Sequence, residues 1–85
     1  MYEIRVIDLD AGRLMQEEGV VKAVVRKLHI KARVTMMADN LAIARMGLME
    51  HVPAIEVDGR IVARGKPILL KETMALFTEI FSAEI

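Results

Sequence analysis

The sequence predicts an α/β domain with the element order βαβαββα. Three observations carry this prediction. Two short runs of alternating polar and apolar residues stand on either side of a long stretch with helical periodicity, the pattern of a right-handed parallel βαβ unit. An Asp58-Gly59 pair then separates two β-branched runs, the strongest short-range signal for a type I′ hairpin. Finally, 85 residues of which 54% are hydrophobic make one domain over residues 1–85, with a core that is small and a fold that is marginal.

The first strand is predicted at Tyr2–Ile7, with Ile4 and Val6 on one face and Glu3 and Arg5 on the other, a half-covered arrangement. Asp8 and Asp10 bracket the turn after it; acids one residue apart at a strand end read as turn and capping groups before they read as a catalytic or Mg²⁺-binding pair. Over residues 12–29, Leu14, Val21, Val24, Val25 and Leu28 recur at helical spacing, while Arg13, Gln16, Glu17, Lys22 and Arg26 fall elsewhere. Acidic residues occupy the first half of this helix and basic ones the second, as the helix dipole prefers. Gly19 costs the helix about 1 kcal/mol relative to Ala and reads as a tolerated defect rather than a close contact. His29, at the C-terminus, is placed to meet the last carbonyls.

Residues 31–37 alternate again, with Ala32, Val34 and Met36 inward. Asp39 fits the N-cap of a short helix through Met46, and Gly47 its C′ position. Pro53 stands at the start of the next strand, where a missing N–H does least harm to the ladder. Pairing across Asp58-Gly59 sets Val57 opposite Arg60 and Ile55 opposite Val62, so that Ile55, Val57 and Val62 share the core face. Glu56 lies on the other face; if the middle helix covers it, the carboxylate needs a partner, Arg5 or Arg64. After Gly65, Lys66 and Pro67, residues 69–81 form a last helix with one stripe of Leu70, Met74, Phe77 and Phe81 and a second of Leu69, Leu76 and Ile80. That face is wider than one sheet contact requires.

Twelve basic and twelve acidic residues cancel, so nothing in the charge suits a nucleic acid or a membrane surface. No apolar run approaches the roughly twenty residues of a membrane span, and the N-terminus lacks a basic segment leading into an apolar one. The expected location is cytoplasmic. The absence of cysteine removes disulfides, thiolate metal sites and dithiol exchange together.

A strand opened by Val52-Pro53 and closed by Asp58-Gly59, then a second strand, Gly65 and a C-terminal helix, resembles the second half of a thioredoxin fold. In length and element order the whole chain resembles the very small thioredoxin- and glutaredoxin-like proteins. The resemblance implies a four-stranded mixed sheet with helices on both faces, the first and last helices on one and the short middle helix on the other. It also implies a cis Val52-Pro53 bond facing the active site. In that family a Cys-X-X-Cys motif, or a single N-terminal Cys, occupies the turn into the first helix, whose N-terminus lowers the thiol pKa. The matching positions here are Ala11 and Leu14, with Gly12 and Arg13 between them, and neither side chain can attack a disulfide.

What the resemblance leaves is a vacated site made of Asp10, Ala11, Gly12, Arg13 and Leu14 with the loop residues His51 and Val52 and with Pro53. Such sites bind extended peptides beside the proline, and that surface can outlive the sulfur, since fold and chemistry are separable. The expectation is a cysteine-free thioredoxin-like domain with no catalytic residue and no cofactor, serving as a binding or protein-interaction module. Its partner is a protein or a second copy of the chain, met through the last helix or through a patch of Leu14, Leu48, Met49 and Val52. The alternative is a relative of the thiol-disulfide oxidoreductases of redox homeostasis with an altered site, or a glutathione-linked activity.

Weaker signals remain. Met36, Met37, Met46 and Met49 with His51 offer soft ligands for Cu(I), but no Met-X-X-Met or Met-X-Met spacing backs them, and methionine is a common filler of irregular gaps. His51 as a general base weighs less than His51 as a solvated loop residue. Ser82, Thr35, Thr73 and Thr78 lack any signature of an activating base, and no phosphate-binding loop is present.

Overall fold

β1 (Tyr2–Ile7) is an interior strand in the computed structural model of the chain, which describes residues 1–82. It pairs in parallel with β2 (Ala32–Met37) and antiparallel with β3 (Ala54–Val57), which in turn pairs antiparallel with β4 (Arg60–Arg64). The result is a four-stranded mixed sheet in the order β2-β1-β3-β4. Helix α1 (Ala11–Lys27) joins the parallel pair, α2 (Asn40–Arg45) follows β2, and α3 (Leu70–Ile80) ends the fold.

Alternation along the strands divides the core between two faces. On one, Ile4 and Val6 of β1 and Ile55 and Val57 of β3 meet Val21 and Val24 of α1 and Phe77 of α3. On the other, Ile7 and Ala54 meet Ile43 of α2 and Leu48. Covered on both faces, Ile4, Val6 and Ile7 are fully buried, more than the half-covered strand expected for β1. Tyr2 and Phe77 both stack edge-on against Phe81, with ring centroids 4.7 and 5.5 Å away, tying α3 to the start of β1.

Helix ends follow their sequence signals. Asp10 caps α1 by accepting the Arg13 N–H at 2.8 Å, and Asp39 caps α2 by accepting the Leu41 and Ala42 N–H groups. Both helices end in a Schellman turn. In α1 it is the main chain of His29, at φ 56°, that meets the last carbonyls: His29 N–H donates to Arg26 C=O and Ile30 N–H to Val25 C=O. In α2 Gly47, at φ 72°, plays the same part. A Cβ at Gly19 would meet nothing within 4 Å, so this glycine serves no close contact.

Four expectations are corrected. Asp58 and Gly59 both have positive φ and Val57 does oppose Arg60, but a β-bulge then sets Glu56 opposite Ile61 and Ile55 opposite Ala63 rather than Val62. Val62 is the inserted residue, and it packs with Ala63 against the larger core. Met36 is 44% exposed because β2 is the sheet edge, while its neighbour Met37 turns to the smaller core. On α3 the buried line is Thr73, Phe77 and Phe81, leaving Leu69 and Leu70 about half exposed and Ile80 at the surface. Glu17, expected on the polar side of α1, is only 7% exposed. Glu56 has the partner it needs in Arg5, its cross-strand neighbour, at 2.7 Å.

Candidate binding groove

The N-terminal turn of α1 meets the Val52-Pro53 peptide, which is cis, across a cleft of about 580 Å³. Helix α1 contributes Arg13, Gln16, Glu17 and Val20, and the segment before β3 contributes Val52 and Pro53. The link between β4 and α3 completes the lining with Gly65, Pro67, Ile68 and Leu69. A second hollow of about 660 Å³, between β4 and α3, adjoins it at Pro67 and Ile68.

Main-chain geometry holds the proline side. The Gly65 N–H is shared between the carbonyls of His51 and Pro53, at 2.9 and 3.0 Å, and Gly65 takes φ 72° to reach them. Between those two acceptors, neither the N–H nor the C=O of Val52 has a hydrogen-bond partner among the described residues. Val52 is partly exposed, so water or a ligand can reach both groups.

The helix side is electrostatic. Asp8, fully buried just after β1, accepts the Arg13 Nε–H at 2.9 Å and Nη2–H at 2.7 Å, a two-point ion pair, and the Leu9 N–H at 2.7 Å. Arg13 foremost, with Glu17 and Leu9, holds the Asp8 carboxyl down at about 2. Asp8 in turn raises the Arg13 guanidinium above its ordinary value. Glu17, one helical turn beyond Arg13, is pushed up to about 8, first by burial and then by the Asp8 carboxylate beside it. At neutral pH Glu17 therefore keeps its proton and donates it to Asp8. Its Oε1 is buried and has no hydrogen-bond partner among the described residues.

Of the residues expected at the site, Arg13, Val52 and Pro53 come together in the groove. Asp10 caps the helix at its edge, and Ala11 and Gly12 lie exposed on the first turn, outside the lining. Leu14 is 4% exposed and belongs to the larger core, because the helix turns that position toward the sheet. His51 is exposed, its main-chain carbonyl accepts from Gly65, and its imidazole Nδ1 lies 4.0 Å from where a Cβ on Gly65 would stand. The expected patch of Leu14, Leu48, Met49 and Val52 does not form, since Leu14 and Leu48 sit in cores on opposite faces of the sheet.

Sequence reasoning missed Asp8 and Glu17 as site residues. For Glu17 a signal existed: it lies three residues after Leu14 and four before Val21, inside the buried stripe, where an acid demands a reason. Met36 and Met37 point to opposite faces of β2, so the four methionines do not gather around one point. Among the described residues no group of three or more His, Cys, Asp or Glu is arranged to hold a metal ion, and no helix is long and apolar enough to cross a membrane. Comparison of the chain with protein-family models, with curated proteins and with solved structures gives no match in any of the three.

Proposed function

We propose that this chain is a cysteine-free thioredoxin-like domain whose groove beside Pro53 binds an extended peptide segment without covalent chemistry. The observation that carries the reading is Val52: an N–H and a C=O on the apolar side of the cleft, both without a partner among the described residues. An extended peptide satisfies such a pair by forming a short antiparallel ladder, which supplies affinity through the main chain and leaves side-chain specificity to the walls. The element order and the strand order β2-β1-β3-β4, with one parallel pair and a terminal hairpin, support the kinship. Ala11 and Leu14 at the positions of the family's thiols leave no nucleophile for disulfide exchange.

The test is an amide NMR titration with a capped hexapeptide of valine and alanine carrying one central norleucine. Shifts confined to residues lining the groove and to Val52 support the reading, and silence there removes it. Glutathione in the same titration separates peptide binding from a thiol-linked activity.

A second reading, self-association, is favoured by the exposure of Leu69 and Leu70, 53% and 46%, where α3 begins at the groove rim. Light scattering at millimolar concentration decides it: a strict monomer excludes this reading.

A further inference from the structure

We infer that the groove selects a segment bearing a basic side chain, a lysine ammonium or an arginine guanidinium, which takes Glu17 as its counter-ion. This inference rests on the peptide-binding reading above and names the chemistry of the residue that the groove prefers.

Glu17 is more than nine-tenths buried, yet it lines the groove, and its Oε1 is without a hydrogen-bond donor among the described residues. A buried acceptor left unmet is costly in a native fold, and a ligand that donates to it removes that cost. The neighbouring charges decide which donor fits. Asp8 already accepts from Arg13 twice and from Leu9, so its charge and that of Arg13 cancel within the wall. Asp10, capping the same helix, adds a second acid at the edge. Among the described residues lining the groove Arg13 is the one cation, with the acids Glu17 beside it, Asp8 behind it and Asp10 at the edge. From the opposite side the groove presents Val52, Pro53, Gly65, Pro67, Ile68 and Leu69, none of them ionisable. A cation entering between these walls finds apolar surface for its methylene stem on the Pro53 side and the Glu17 side chain on the helix side. An anionic side chain meets one cation among the described residues of the lining, Arg13, which is already paired with Asp8.

Binding then exchanges a proton for a cation. The carboxyl of Glu17 keeps its proton up to about pH 8 in the free protein, so an arriving ammonium displaces that proton to solvent. Affinity for a lysine-bearing segment rises about tenfold from pH 7 to pH 9, over which lysine itself stays charged.

The experiment compares two capped hexapeptides, one with a central lysine and one with its uncharged isostere norleucine, titrated by NMR between pH 6 and pH 9. The expected result is a lysine-over-norleucine preference of at least about tenfold at pH 9 that shrinks toward unity at pH 6. In E17Q the lysine-to-norleucine affinity ratio is one at every pH. The wild-type pH series stands independently of that variant. If both peptides perturb the groove equally at all pH values, the cation preference is overturned and the peptide-binding reading survives. If neither perturbs it, both fall together.

Discussion

Arg13 grips Asp8 through two parallel hydrogen bonds, Nε–H to Oδ2 at 2.9 Å and Nη2–H to Oδ1 at 2.7 Å, although the arginine side chain is 55% exposed and the aspartate is not exposed at all. The pair ties the end of β1 to the first turn of α1, the two elements that position the groove. Replacing Arg13 by Ala leaves a buried carboxylate whose chief partner is gone. The expected outcome is a less stable domain in which the Asp8 carboxyl titrates well above its present value of about 2. Carbon-detected titration of the carboxyl groups, together with urea unfolding, measures both. R13K restores only part of the effect, since an ammonium cannot supply the parallel N–H pair.

Asp8 and Glu17 pull the pH dependence of stability in opposite directions. Asp8 titrates lower in the folded state, about 2 against an ordinary 3.8, so its contribution is present above about pH 4 and is lost as the pH falls toward 2, roughly 2 kcal/mol in all. Glu17 titrates higher in the folded state, about 8 against 4.5. Its contribution is whole below pH 4.5 and is lost, on the order of a few kcal/mol, as the pH rises toward 8. Thermal or urea unfolding as a function of pH therefore shows maximal stability between pH 4 and 5. E17Q, which mimics the protonated acid, flattens the alkaline limb and leaves the acid limb in place.

Gly19 sits on the exposed side of α1 with open space where a Cβ would stand. G19A is expected to stabilise the domain by about 0.5 to 1 kcal/mol, through a smaller loss of backbone entropy on folding. Denaturant unfolding at constant m-value reads it directly. A loss of stability would place an unseen contact at that position.

Much of the fold was legible because its signals are local. Asp10 and Asp39 act as caps, Gly47 ends α2, and Asp58 with Gly59 turns the hairpin, each where the residue type alone dictates the backbone. The hairpin register beyond Glu56 was not legible, since the bulge at Val62 depends on which core each side chain fills. The exposure of Met36 was hidden for a related reason: period-two alternation names a face but not whether that face lies at the middle of the sheet or at its edge.

The candidate site divides in the same way. Arg13, Val52 and Pro53 could be anticipated from their places in the chain, and the structure does bring them together. The role of Asp8 could not, because its meaning comes from a guanidinium five residues later that a helical turn folds back onto it. Leu14 was misassigned because the periodicity that marks it as core was set against a resemblance that marks it as site, and the core reading prevailed.

Hydrogen exchange at the Val52 amide tests the central claim most directly. In the free protein that N–H, without an intramolecular partner among the described residues, exchanges rapidly, and at saturating hexapeptide it becomes protected along with the groove residues. Unchanged rapid exchange at Val52 in the presence of a bound peptide, or protection appearing only elsewhere on the sheet, contradicts the account.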